Sequence, residues 1–292
     1  MRKALFALML AVCVGVSACP AVGEDTPLRV TASFFPLYIA AINICQDVPG
    51  VEIACMAPPA AGCLHDYQMT TADRRLLEES DVLLLNGAGL ESFMDKLLPQ
   101  LSARIIEASA GAALQKDAHG EDNPHVWVSV EGMIAEVNAI ADGLAQADPT
   151  HATQYASNAA AYVQRLTAMK EELAETLAPL SGMPIITFHE AFDYFAPEFG
   201  LRVVATVHHH EDAAPSAREI AGLVAIIEQD DVRALFAEPY YQDASVDIIS
   251  REAGVPVYTL NPVTDGEAEP SNLDAYQHIM RENATTLLEA LS

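Results

Sequence analysis

A chain of 292 residues, 51% apolar and 19% charged, is long enough for two domains of ordinary size and apolar enough to bury a core, which excludes wholesale disorder. Lys and Arg number 15 against 41 Asp and Glu, a formal net charge of -26. A surface that acidic repels phosphate backbones and argues against nucleic acid as a partner; its plainest role is a solvated face that keeps the chain soluble, and it also tolerates cationic ligands.

Met1-Arg2-Lys3 is a basic start, and Ala4 to Val16 is an uncharged apolar run too short to span a bilayer. Val16-Ser17-Ala18-Cys19 resembles a bacterial lipobox, in which the Cys becomes the lipidated first residue of the mature chain. The competing reading is plain signal cleavage after Ala21 or Gly23. Both export the chain, so residues 1–18 read as a signal peptide and Cys19 as the lipidation site. The expected location is the periplasm or the extracytoplasmic face of a bacterial membrane. Past Cys19 there remain Cys45, Cys55 and Cys63. An oxidising compartment predicts one disulfide among them. Cys55–Cys63, flanking Pro58-Pro59, is the first choice and Cys45–Cys55 the alternative.

Leu28 to Ser33 reads as a strand and Leu37 to Gln46 as a helix following Pro36. Val51 to Cys55 is a second short strand, and a Pro/Gly loop follows it to His65. Thr70 to Glu79 is helical, with Thr70 and Asp73 spaced as a capping box. Asp81 to Asn86 is a mostly apolar strand, as in a parallel sheet buried on both faces. Glu91 to Leu98 is predicted helical, and Arg104 to Glu107 is a short strand. Strands alternating with helices predict βα units.

His151 to Ala178 contains neither Pro nor Gly, and Tyr155, Tyr162, Leu166 and Leu173 recur at helical spacing. Asp148-Pro149 supplies a start and Pro179 a stop. One continuous helix there would be about 42 Å long, enough to span two lobes. After it the βα pattern resumes: strands at Pro184–Phe188, Leu201–Ala205, Ala234–Ala237 and Val257–Leu260, and helices at Ser216–Asp230, Ala244–Ala253 and Leu273–Leu291. The expected class is α/β. Two βα lobes with mostly parallel sheets, residues 19–150 and 179–292, are joined by a linking helix at 151–178.

Three of the nine histidines stand just past a predicted strand or in a loop: His65, His125 and His189. In open α/β sheets ligands sit beyond the carboxyl ends of the strands, and neutral imidazole is the commonest metal ligand. Their separation in the chain forms no local metal signature, so spacing alone leaves three unrelated loop histidines as the alternative. His208-His209-His210-Glu211-Asp212 is a denser cluster, suited to an accessory metal site or to a bare surface loop. His151 and His278 read as structural.

Six groups of residues carry a resemblance. His65-Asp66-Tyr67-x-x-Thr70 after the Pro-rich loop is similar to the first ligand motif of the cluster A-I (ZnuA/TroA-like) substrate-binding proteins of bacterial ABC zinc and manganese importers. Asn123-Pro124-His125-Val126-Trp127 resembles the second, which usually begins with Asp. Phe188 to Phe195 resembles the third. Asn86-Gly87-x-Gly89-x-Glu91 resembles the segment after the family's third strand, and Phe236-Ala237-Glu238-Pro239 and Leu260-Asn261-Pro262 resemble its carboxyl-terminal lobe. The resemblance covers the mature chain. It implies two lobes held by a rigid helix, with one metal in the cleft between them.

Carried over residue by residue, the resemblance makes His65, His125 and His189 metal ligands. Manganese members tend to carry a carboxylate at the third position, and three nitrogens favour zinc. The family's usual Leu-Asp-Pro, source of a fourth ligand, is Leu260-Asn261-Pro262 here. The fourth place falls to water, Asn261, Glu238 or one of His208, His209 and His210, with Glu238 alternatively supporting a ligand imidazole. The implied function is extracytoplasmic capture of Zn(II) as transported ligand by a monomer that delivers it to an ABC-type permease, without catalysis. The alternatives are a manganese- or other divalent-metal-binding lipoprotein or adhesin, and a three-His zinc hydrolase with Glu190 or Glu238 as base. Against the hydrolase, Asp193 stands where His-Glu-x-x-His needs its second His.

Overall fold

The short apolar runs of the amino-terminal half pair in parallel. β1 (Leu28–Ala32), β2 (Val51–Cys55), β3 (Val82–Leu85) and β4 (Arg104–Glu107) form one sheet in the order β2-β1-β3-β4. β5 (Pro184–Thr187), β6 (Arg202–Thr206), β7 (Leu235–Ala237) and β8 (Val257–Thr259) form a second, also parallel, in the order β6-β5-β7-β8. The computed structural model describes residues 26–59, 62, 64–117, 120–207, 216–239 and 244–292. The leader, Cys19, Cys63 and the His208–His210 cluster lie outside the described residues, and so do the expectations attached to them.

Both sheets share one topology. The chain leaves the first strand toward one edge, then crosses back to continue on the other side. In such a sheet the crevice opens beyond the carboxyl ends, between β1 and β3 and between β5 and β7. β3 and β5 are buried along their whole length, as a central strand covered on both faces must be. Helix α1 (Phe35–Ile44) is buried at all ten positions, so it lies inside the first lobe rather than upon it. Helix α2 (Thr71–Glu78) starts on the predicted capping box: Asp73 N–H donates to Thr70 Oγ1 and Thr70 N–H to Asp73 Oδ2.

Two helices fill the middle. Helix α3 (Val130–Ala147) was not anticipated from sequence, and helix α4 (Ala152–Leu177) is the long linker, unbroken over 26 residues. Tyr155, Ala159, Tyr162, Leu166, Met169, Leu173 and Leu177 form its buried stripe. That stripe packs on α1 and α3 on one side and on the closing helix α8 (Ala275–Leu291) on the other. One continuous core therefore runs from the first lobe through α4 to part of the second. Truncating Leu166, at 0% exposure, would cost about 2–5 kcal/mol. A smaller core covers the other face of the second sheet, beneath α6 (Ala217–Asp230) and α7 (Ala244–Ala253). No helix among the described residues is long and apolar enough to cross a membrane.

Two expectations are corrected. The predicted helix at 91–98 is a pair of 3-10 turns, Ser92–Met94 and Leu98–Gln100. Glu91 turns its carboxylate back onto the preceding loop, and Pro99 lacks the N–H that a continuing α-helix would use. Cys45 and Cys55 are both thiols, so the alternative pairing Cys45–Cys55 is not present, while the pairing with Cys63 lies outside the described residues. Cys55 Sγ donates to the Ala57 carbonyl at 3.0 Å, and burial pushes both thiols up to about 12.

Glu136 on α3 is at 0% exposure, and neither carboxyl oxygen has a hydrogen-bond partner among the described residues. Burial first, then the charge of Glu91, push its carboxyl well above the ordinary 4.5. The fold disfavours the ionised form while the unfolded chain does not, so stability falls as pH rises above the unfolded value. In Glu136→Gln this dependence is expected to vanish. Thermal unfolding from pH 5 to pH 8 should show the variant gaining on the wild type as pH rises; parallel curves would contradict it.

Candidate metal centre

The three histidines arrive by three different routes. His189 stands two residues past the end of β5 in extended backbone (φ -155°, ψ 156°), and the chain then folds into the 3-10 turn Glu190–Asp193. His65 sits on the 3-10 turn Leu64–Asp66 beyond β2 and is exposed. His125 lies in the loop before α3 at 1% exposure. One ring nitrogen from each comes within 4.8 Å of the other two. The ring centroids of His125 and His189 are 4.4 Å apart, those of His65 and His125 5.4 Å, and those of His65 and His189 6.1 Å. Tetrahedral zinc with bonds of about 2.0–2.1 Å holds its nitrogens about 3.3 Å apart, a gap that side-chain rotation can close.

Two of the rings are oriented from behind. His125 Nδ1 lies 2.7 Å from Asn123 Oδ1, which also accepts the His125 backbone N–H at 3.0 Å. His189 Nδ1 lies 2.6 Å from Glu238 Oε1. Both partners are acceptors, so Nδ1 carries the hydrogen in each ring and the lone pair sits on Nε2. Glu238 is 9% exposed and stands behind the ring, the position of a supporting group rather than of a metal ligand. A polar partner on Nδ1 with the lone pair on Nε2 is the arrangement metal-binding imidazoles use.

The segment around His125 is clamped from both lobes. Trp127 Nε1–H donates to the Pro262 carbonyl at 2.7 Å, and its ring packs edge-on against Phe34. The Tyr276 hydroxyl lies 2.9 Å from the Trp127 carbonyl and 3.1 Å from that of Ser129. The first two N–H groups of α3, from Val130 and Glu131, donate to the two oxygens of Glu198 at 2.8 and 2.9 Å. Glu198 closes the short helix α5 (Phe195–Glu198), and Lys170 of α4 pairs with it at 3.2 Å. An acidic group of the second lobe thus satisfies the orphan donors and positive end of a helix of the first. Gly132 completes the clamp: a Cβ there would fall 2.0 Å from the Val126 carbonyl oxygen.

From below, Glu91 gathers the loop at the end of β3. It accepts from Ser33 Oγ at 2.7 Å, Asn86 N–H at 2.7 Å and Gly87 N–H at 3.1 Å. Burial raises its carboxyl and these hydrogen bonds oppose the rise. Asn86 Nδ2 then donates to the Pro124 carbonyl at 3.0 Å, one residue before His125. Gly87 and Gly89 hold the loop at φ +81° and +83°, where a side chain would be strained.

The amide of Asn261 bonds within its own turn. Its Oδ1 accepts the N–H groups of Thr264 and Asp265 at 3.1 and 3.3 Å, and its Nδ2 donates to the Asp265 carbonyl at 2.8 Å. The side chain closes its own turn, in which buried Val263 is held at φ 64°. Trp127 packs 5.2 Å from the His125 ring, and the Tyr67 hydroxyl donates to Asp73 Oδ2 at 3.0 Å. His151 and His278 lie apart from the cluster, against Asp148 and Glu282. Sequence reasoning placed Glu91 and Tyr194 in motifs without giving them a role, and missed Glu198 and Tyr276. The only local signals were Ser129 and Gly132 at cap spacing, and Asn123 two residues before His125.

Several known proteins resemble this one. The zinc-binding lipoprotein AdcA of Streptococcus pneumoniae serotype 4 is 27% identical over 281 residues, 90% of this chain and 56% of that protein. The chain therefore spans about half the length of that relative. The manganese-binding lipoprotein MntA of Halalkalibacterium halodurans is 28% identical over the whole of both chains. Among solved structures, the SBP FpvC of Pseudomonas aeruginosa in complex with Mn2+ is 30% identical, with a TM-score of 0.80 over 91% of this chain and 98% of that one. The family model described as zinc-uptake complex component A, periplasmic, matches residues 30–290, and the chain belongs to that ZnuA family.

Proposed function

We propose that this protein captures one Zn(II) ion outside the cytoplasmic membrane and delivers it to an ABC-type permease, with His65, His125 and His189 as its protein ligands. The observation that carries the reading is the convergence of three imidazoles from three separate motifs, two of them with Nδ1 engaged and the lone pair on Nε2. Family membership and the metal-binding relatives point the same way. None of those relatives is named for catalysis, and Glu238, a conceivable base, is bonded to His189. Residues 19–150 and 179–292 act as the two lobes and 151–178 as the spacer. The chain works as a monomer, tethered through Cys19.

Three nitrogen donors favour zinc over manganese, which prefers oxygen. Manganese is the second reading, supported by the likeness to a manganese-binding lipoprotein and to a manganese-bound structure. Exchange of the ion proceeds through His65. His125 is buried, whereas His65 is exposed on a short turn. A comparison of metal-free and zinc-loaded crystals would then show movement confined to the loop carrying His65, and a rotation of whole lobes would refute that route.

Calorimetric titration of the demetallated chain tests the metal. One tight Zn(II) site, weaker Mn(II) binding and a loss of more than about 100-fold in His189→Ala are expected, beyond the 10–100-fold cost of a lost supporting residue. Tighter Mn(II) binding or an unchanged variant would overturn the assignment. Protons compete with zinc for the imidazoles, so affinity should decline steadily below about pH 6.5. A constant affinity from pH 7.5 to pH 5.5 would be incompatible with three histidine ligands.

A further inference from the structure

We propose that Asn123 is a positioning residue that couples the second and third ligand motifs: its amide oxygen orients His125, and its amide NH2 holds the turn that follows His189. The inference rests on the reading of His125 and His189 as ligands.

Asn123 is 1% exposed, and its side chain has two working faces. Oδ1 accepts the His125 backbone N–H at 3.0 Å and faces His125 Nδ1 at 2.7 Å. Nδ2 donates to the Glu190 carbonyl at 3.1 Å and lies 3.4 Å from Asp193 Oδ2. The amide can be placed only this way, because a backbone N–H requires the oxygen and a backbone carbonyl requires the NH2. Glu190–Asp193 is the turn that directly follows His189. The backbone of Asn123 is held to the same region, its carbonyl accepting the Tyr194 hydroxyl at 2.7 Å. One buried side chain thus bridges the loop before α3 and the turn after β5, with a ligand imidazole beside each end.

The family's second motif usually begins with Asp, and the difference is chemical. A carboxylate reproduces the face toward His125, but it has no donor for the other face. It would set acceptor against acceptor at the Glu190 carbonyl and negative charge against negative charge at Asp193, across part-buried contacts. Two effects then compete. A carboxylate behind His125 makes the imidazole a stronger metal ligand, while the lost bridge frees the third motif to drift from the geometry the ion needs. The burial of position 123 decides the contest, because a carboxylate introduced there would face both acceptors from the side that solvent does not reach.

The test compares Zn(II) affinities of the demetallated full chain, measured by competition with a chromophoric chelator. The variants are Asn123→Asp, Asn123→Ala, Asp193→Asn and the double variant Asn123→Asp/Asp193→Asn, with His125→Ala as control. Both single substitutions at 123 are expected to weaken binding by about 10-fold or more, the scale of a lost supporting residue. In the double variant the amide introduced at position 193 donates to the carboxylate introduced at position 123, and most of the affinity should return, along with the wild-type Co(II) absorption bands. Thermal unfolding of the metal-free forms reports whether each variant folds. Should Asn123→Ala fail to fold, the near-isosteric Asp pair carries the test. Asn123→Asp binding as tightly as wild type, or a double variant no better than Asn123→Asp, would overturn the inference alone. An unchanged His125→Ala would overturn the ligand reading and the inference with it.

Discussion

The segment from Asn123 to Glu131 is tied to both lobes at once, and the metal centre depends on that. Pro262, Tyr276, Glu198, Tyr194 and Glu190 all bond to it from the second half of the chain, and Asn86 bonds to it from the first. Most of these bonds are buried, where a broken hydrogen bond costs more than a net bond contributes because the partner left behind finds no water. Breaking the set together would be needed to swing one lobe from the other. The long helix α4 adds stiffness, since its one buried stripe packs against helices of both lobes. A wide hinge motion would have to unpack that stripe as well as break the clamp.

The parallel sheets account for where the clamp stands. Each sheet opens a crevice at its topological switch, and the two crevices supply backbone groups at the ends of β1, β3 and β5. Glu91 uses the first crevice to fix the loop that reaches Pro124, and His189 emerges from the second. The site is therefore not carried by either lobe alone. His125 and His189 share a frame only because the bonds across the cleft make them share it. Their rings are accordingly the closest pair of the three, at 4.4 Å between centroids.

Much of this frame was legible in the sequence, for physical reasons. Val82–Leu85 is apolar on both faces, so its burial in a parallel sheet follows from composition. The stripe from Tyr155 to Leu173 repeats at helical spacing without a breaker, so α4 could be read through its whole length. Helix α3 was not readable with the same ease: Gly132 and Gly143 interrupt its pattern, and both are there for close packing, against Val126 and Ile106. The expected helix at 91–98 failed because Glu91, a good helix former, is drawn to backbone donors behind it. The turn that Asn261 closes with its amide oxygen leaves little trace in the local pattern, since it rests on backbone N–H groups that every sequence carries. Contacts such as Glu198 with α3 leave no trace in local pattern, since the partners are 67 and 68 positions apart.

The three ligand positions are unequal in their surroundings, and that inequality bears on what the site can do. His125 and His189 lose little freedom when an ion arrives, because their rings are already held at Nδ1. His65 stands exposed on a three-residue turn. On the proposed reading, an incoming ion meets this exposed turn before it reaches the buried His125, so exchange needs movement only where few buried contacts have to break. A protein with a rigid core and a clamped cleft then gives up its ion without rotating one lobe away from the other.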